Sequence, residues 1–192
     1  MRPYDDAFAA KELISQNSPI RIGDAEYRVD IGPGRGVFLE TFADAVRDYP
    51  IVQALGGKDV YYFLTPLENG RLQTLPLAYD VRKKEWFDVA ASGSRHFENG
   101  QDNDVNWKEW PYAFNTACYN CHVSQLSTNY DPKTDTYHTT WEEPGINCEA
   151  CHGPGGEHVH VCEEAPKGIV PKDLKIMRGG RDFTIFQKND LC

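Results

Sequence analysis

No cysteine and no histidine stands before residue 96 of this 192-residue chain. The first half thus offers no thiol and no imidazole, and reads as scaffold. No apolar run comes near the ~18 residues that a membrane-spanning helix needs, so the chain predicts no transmembrane segment. Positive charge is scarce, with 20 Lys+Arg against 29 Asp+Glu and a formal net charge of -9. Such a field repels phosphate backbones and excludes nucleic acid as the expected partner. The start, MRPYDDAFAAKELISQ, lacks the basic and apolar regions of an export signal. The length is nevertheless enough to bury a real core, which excludes a peptide hormone or a disulfide knot.

What the first half does contain is strand and turn chemistry. Residues 5–16 (DDAFAAKELISQ) start with acids, continue with good helix formers and place apolar residues at Phe8, Leu13 and Ile14, which predicts a short helix. AEYRVDI at 25–31 and VFLETF at 37–42 predict a hairpin around Gly32-Pro33-Gly34-Arg35-Gly36. No GK[ST] follows those glycines, so they read as a turn and not as a phosphate loop. Asn69-Gly70 lies between two apolar runs in 59–82, and its preference for positive φ suits a type I′ hairpin turn. Lys83-Lys84 then turns the chain into EWFDVA at 85–90. Residues 20–90 are expected to form one small antiparallel sheet, a meander of four to six strands. Tyr61, Tyr62, Phe63, Trp86 and Phe87 read as core, because aromatic residues in strands usually are.

All six cysteines and all six histidines fall between His96 and Cys192. Cys118-Tyr119-Asn120-Cys121-His122 and Cys148-Glu149-Ala150-Cys151-His152 are both C-x-x-C-H, the pattern of covalent c-type haem attachment. On a helical turn residues i and i+3 share a face, so both thiols reach the two vinyl groups of one porphyrin. The histidine that follows then ligates iron, and its other ring nitrogen is expected to donate to a carbonyl. The competing reading takes the four cysteines, C-x2-C-x26-C-x2-C, as a zinc site or as redox-active pairs. It gives no reason for a histidine directly after each pair. The composition shift divides the chain into a β-rich scaffold domain, 1–95, and a haem domain, 96–192. The expected fold class is α+β, with an N-terminal antiparallel sheet followed by a loop-rich domain of short helices.

Trp141-Glu142-Glu143-Pro144-Gly145-Ile146-Asn147 running into Cys148-Glu149-Ala150-Cys151-His152-Gly153-Pro154-Gly155-Gly156-Glu157-His158 resembles the W-x-E-x-G-[IV]-x-C-E-x-C-H-G-P-G-x-x-H block of bacterial multihaem c-type cytochromes. Relatives of the nitrifier tetrahaem cytochromes and long proteins with tetratricopeptide repeats share it. GRLQTLPLAYD and the approach through Trp107 and Trp110 are similar to the same group, so the likeness covers roughly residues 45–192. The resemblance implies an exported electron-transfer protein with mostly bis-histidine haems, in which the histidine of GPGxxH, here His158, serves a neighbouring haem. Such proteins carry further CxxCH motifs on both sides. The expectation is therefore a fragment, with KNDLC at Cys192 opening a truncated third motif.

With His122 and His152 as proximal ligands, His158, His138, His96 and His160 remain as distal candidates, more than two haems need. Met1 and Met177 are poor competitors, one terminal and the other among charged and glycine residues. Low-potential bis-histidine haem c is the expected cofactor. Cys162 reads as a free thiol, and Glu98 to Asp104 as a solvated loop without the spacing of a calcium site. Thioether attachment takes place outside the bacterial cytoplasmic membrane, which predicts a periplasmic or extracellular protein whose leader precedes this numbering. The function that follows is electron relay, with a basic redox protein or a neighbouring cytochrome subunit as partner. Two alternatives stay open. One is a haem oxidoreductase with an open distal site near Arg95, Lys108 or Tyr112. The other is an electron-relaying subunit of a larger complex or filament.

Overall fold

The computed structural model describes residues 1–92, 105–177 and 183–189. Strand β1 (Arg2–Pro3) leads into helix α1 (Asp6–Glu12). Asp5 caps that helix, its Oδ1 accepting from the Phe8 amide at 2.7 Å. Sequence pattern extends the helix to residue 16, but Leu13 is extended. Tertiary partners claim the next residues instead. The Ile14 carbonyl accepts from Trp86 Nε1 at 2.8 Å, and Gln16 Oε1 accepts from the Val29 amide at 2.7 Å.

Four strands follow as an antiparallel meander: β2 (Ile20–Ile22), β3 (Ala25–Asp30), β4 (Val37–Phe42) and β5 (Ala45–Pro50). Ala25, Tyr27 and Val29 face inward in β3 while Glu26 and Arg28 face water, the period of two that the sequence shows. The β3–β4 turn is a plain turn, with the Gly34 amide donating to Asp6 Oδ2 at 2.7 Å.

The remaining strands do not extend this meander, so the expectation of a single sheet over 20–90 is corrected. β6 (Gln53–Gly56), β7 (Val60–Pro66), β8 (Leu72–Thr74), β9 (Leu77–Asp80) and β10 (Glu85–Asp88) form a second antiparallel sheet in the order β1-β6-β7-β9-β10. Its first edge is the N-terminal β1, too short to show any periodicity. Asn69 and Gly70 have φ of 61° and 71°, the two positive values a type I′ turn requires. β8 then pairs with the end of β7, and β9 with its start. Pro76 lies between them and has no N–H to give the ladder, which is why one apolar run makes two strands.

The two faces of β6 and β7 serve different cores. Ala54, Tyr61 and Phe63 join Phe8, Tyr27, Phe38, Leu77, Tyr79, Trp86 and Trp107 in the main cluster. Leu55 and Leu64 point the other way, onto Phe114 and Val123. Strand β7 therefore reads as nearly continuous apolar sequence because it is covered on both sides. Tyr61, Phe63 and Trp86 are core, as their strand positions imply, whereas Tyr62 packs on the second cluster together with Cys118. Helix α2 (Val89–Ser92) and short helices at both CxxCH motifs complete an α+β fold.

Candidate functional site

The first CxxCH is built into this second core. A single π-helical turn, Phe114–Cys118, runs into helix α3 (Tyr119–His122). Phe114 is fully buried and meets Trp141 edge-on at 5.8 Å. Asn115, also fully buried, fastens the turn to the β7–β8 hairpin. Its Oδ1 accepts from the Leu72 amide at 2.7 Å, and its Nδ2 donates to Thr139 Oγ1 at 2.7 Å and to the Gly70 carbonyl at 3.4 Å. Gln73, fully buried in β8, donates to the carbonyls of Trp107 and Glu109 and so anchors the approach to the motif. Cys118 Sγ lies 3.9 Å from Thr74 Oγ1, and burial pushes its thiol up. Burial, with the chain's amino terminus nearby, holds the His122 imidazole below its ordinary value. A neutral ring is the form that binds iron.

The second motif is hung from the first. β11 (Val123–Ser124) pairs with β12 (Glu143–Pro144), and the Gly145 amide donates to the His122 carbonyl at 2.7 Å. Buried Ser124 donates through Oγ to the Gly145 carbonyl at 2.7 Å and accepts from the Asn147 amide at 2.9 Å. Asn147 in turn caps helix α4 (Cys148–His152), its Oδ1 accepting from the Ala150 amide at 3.1 Å. Glu149, between the two cysteines, accepts from Gln125 Nε2 at 2.8 Å and from the Gly155 amide at 2.7 Å. Gly153 ends the helix at φ 72°, where a side chain would be strained and would press on the Met177 methyl group.

The histidines differ in what their rings touch. His152 Nδ1 donates to the Met177 carbonyl at 2.7 Å, and His158, on helix α5 (Gly156–Glu163), donates from Nδ1 to the Leu174 carbonyl at 2.8 Å. His160 Nε2 lies 3.4 Å from Glu164 Oε1, and exposed His138 has its Nε2 3.5 Å from Thr136 Oγ1.

Residues 83–153 match the family model for cytochrome c554 and c-prime. That stretch contains both CxxCH motifs, and over it the chain resembles a c-type cytochrome. Among solved structures it is similar to one described as outer cell wall cytochrome OcwA, at 21% identity and a TM-score of 0.37, over 64% of this chain and 24% of that one. The chain thus spans about a quarter of that cytochrome's length, and the superposition is too loose to define a common fold. No curated protein matches the chain.

Covalent c-type haem is held by thioethers to the two cysteines of a CxxCH motif, and the residues present fit that group. Each motif sets its sulfurs three residues apart on a helical turn, with Cys118 at the edge of an apolar wall of Leu55, Leu64, Phe114 and Val123. His152 has its outer nitrogen committed to a carbonyl, which leaves Nε2 as the donor. The two cysteine pairs do not converge, and no group of three or more His, Cys, Asp or Glu side chains suited to a metal ion meets among the described residues.

His96, Cys192, Arg95 and the run Glu98 to Asp104 lie outside the described residues. Cys162 is exposed, 3.9 Å from His158 Nδ1. Met177 lies beside the second motif, with its backbone carbonyl on His152. Lys108 belongs to another cluster. Its Nζ binds Glu40 Oε2 at 2.6 Å, and Glu40 also accepts from Tyr27 at 2.9 Å and Tyr49 at 2.8 Å. Lys108 and Tyr112 line a cavity of about 560 Å³ that contains no residue of either motif. Sequence reasoning missed Asn115, Ser124, Gln125 and Glu149, whose partners are remote in sequence. Asn147 was legible as an Asn directly before a helical motif.

Proposed function

We propose that this cytochrome relays electrons through at least two haem c groups, one attached to Cys118 and Cys121 with His122 as axial ligand, the other to Cys148 and Cys151 with His152. Supporting this above all is the bracket of bonds between the motifs, from His122 and Ser124 to Gly145 and Asn147. It keeps two attachment sites adjacent, and tunnelling between cofactors needs that proximity. When bound, haem supplies the one-electron Fe(III)/Fe(II) couple.

His158 is the best-supported distal ligand, since its Nδ1 contact leaves Nε2 free. His160 is turned toward Glu164, and His138 is exposed with only a long contact to Thr136. His96 and a third haem opened by Cys192 stay as expectations from sequence. The distal donors required by an enzyme are less well supported, because Lys108 is engaged by Glu40. The scaffold–haem division near residue 95 belongs to the same proposal, as does export to the periplasm or the cell exterior. Among the described residues no helix is long and apolar enough to cross a membrane. The net charge of -9, with haem propionates added, favours a basic redox partner or a neighbouring cytochrome subunit.

The test is the absorption spectrum of the dithionite-reduced protein with and without carbon monoxide. A low-spin spectrum that carbon monoxide leaves unchanged is the expected result. Missing Soret and α bands overturn the haem reading, and a shifted Soret component replaces the relay with an open-site oxidoreductase.

A further inference from the structure

Two histidines six residues apart are held by one short segment. His152 donates from Nδ1 to the Met177 carbonyl at 2.7 Å, and His158 donates from Nδ1 to the Leu174 carbonyl at 2.8 Å. A carbonyl only accepts, so both rings carry their proton on Nδ1 and present Nε2 as a lone pair. Between these carbonyls the backbone makes an unusual bend. Lys175 has φ 48°, the left-handed region that a residue with a Cβ seldom enters. Asp173 holds the bend, its Oδ1 accepting from the Lys175 amide at 3.1 Å while Oδ2 pairs with Lys175 Nζ at 2.7 Å. The result turns the carbonyls of residues 174 and 177 onto two different helices, α4 and α5.

We propose that Asp173 to Met177 is an orienting clamp shared by two haem-ligand imidazoles, so that the ligand fields His152 and His158 offer to iron are set together. The proposal rests on the reading of His152 and His158 as ligands. Asp173 and Lys175 are positioning residues, acting through the two carbonyls. An imidazole that donates from Nδ1 is a stronger electron donor at Nε2, which favours Fe(III) and lowers the potential. Loosening the clamp therefore raises the potential at each iron these histidines ligate. Apart from the segment itself, the clamp uses only groups on α4 and α5, and neither Cxx pair takes part.

The experiment compares the haem-loaded full chain with its Asp173→Ala, Asp173→Asn and Lys175→Gly variants. Pyridine haemochrome content is read first, then redox titration and the ring N–H signals of 15N-labelled histidine. Asp173→Ala is expected to shift the oxidised-to-reduced ratio by on the order of tenfold, about 59 mV for a one-electron couple. It is also expected to speed proton exchange at Nδ1 of both His152 and His158. Asp173→Asn keeps the acceptor for the Lys175 amide and should stay near the parent, whereas Lys175→Gly accepts the positive φ but loses the Nζ–Asp173 pair and should fall between the parent and Asp173→Ala. A full haem complement with unmoved potentials, or with only one of the two histidines altered, overturns the clamp. Absence of haem c from the parent overturns the ligand reading itself. Should Asp173→Ala fail to mature, the parent decides: Nδ1 protons of His152 and His158 must exchange more slowly than those of His138 and His160, and equal rates refute the proposal.

Discussion

Replacing Asn115 by alanine removes the joint between the β-sheet and the first CxxCH. The side chain is fully buried and makes two bonds of 2.7 Å, with the Leu72 amide and with Thr139 Oγ1, and a longer one of 3.4 Å to the Gly70 carbonyl. Alanine leaves the half-buried Leu72 amide without its acceptor and removes a donor from Thr139 Oγ1, which keeps its bond to the Thr128 carbonyl at 3.3 Å. The stranded amide costs about 1–3 kcal/mol and the lost bonds to Thr139 and Gly70 about 1 kcal/mol more, so the variant should lose about 3 kcal/mol. At a urea slope of about 2 kcal/mol/M, that moves the unfolding midpoint down by about 1.5 M. Urea titration of the haem-loaded protein, followed by tryptophan fluorescence, measures it. Because the bond to Thr139 is one of the strong pair, a double-mutant cycle with Thr139→Ala should return a coupling of about 1 kcal/mol. A total loss below about 1 kcal/mol, within the range of an ordinary surface substitution, would refute the argument that this joint carries the site.

Glu40 offers a pH test. Burial pushes its carboxyl up, but the bonds from Lys108, Tyr49 and Tyr27 outweigh that and hold it below the ordinary carboxylate value. A carboxyl lowered in the folded state adds stability that is complete above its unfolded value of about 4.3 and is lost as pH falls through the folded one. Urea midpoints should therefore fall as pH drops below about 4.3, and Glu40→Gln should flatten that part of the profile; a parallel decline in both proteins sinks the assignment. Gly70→Ala forces a side chain into φ 71° against the Tyr137 backbone, and a cost of about 2 kcal/mol should lower Tm by about 4–8 °C in a scan. Ser124→Ala strands the Asn147 amide, and a local loss of about 2 kcal/mol should speed hydrogen exchange there about 30-fold, with an unchanged rate counting against the bracket.

Much of this was written in the sequence wherever one local rule decides the outcome. Alternation gave β3, the positive φ of Asn69 and Gly70 gave the hairpin, and the CxxCH spacing gave two helical turns. Local rules failed where distant partners decide. Helix α1 stops at Glu12 because Trp86 and Val29 take up Ile14 and Gln16, contacts no periodicity encodes. The strands divide into two sheets, and it is the two-residue β1, not β5, that pairs with β6. At the site, the chemistry of the motifs was legible but their mutual placement was not. Ser124 looks like any loop serine until the Asn147 amide lies 2.9 Å from it. The carbonyls of Leu174 and Met177 carry no side-chain signature at all, so nothing in KIM at 175–177 marks a histidine-orienting segment.

The two motifs rest on different physics, and their response to haem should differ accordingly. The first is backed by Phe114 and Val123, 0% and 4% exposed, and is tied to buried Asn115 and Gln73. Beyond Ser124 no described residue is buried. Ile146, Val159, Ile169, Val170 and Phe186 all stand more than half exposed there, and polar bonds alone shape the second motif. Hydrogen bonds open to water contribute only about 1 kcal/mol each, too little to offset the ordering of several dozen residues. On the proposed reading, porphyrin faces supply the missing apolar contact, so order in this part should depend on attachment. Hydrogen exchange on a chain with Cys118, Cys121, Cys148 and Cys151 replaced by serine tests this directly. Protection should persist through β3 to β10 and fall to the level of free peptide between residues 147 and 177. Equal protection in both parts would mean that the second motif holds itself together without haem, and that its polar bracket is far stronger than exposed hydrogen bonds allow.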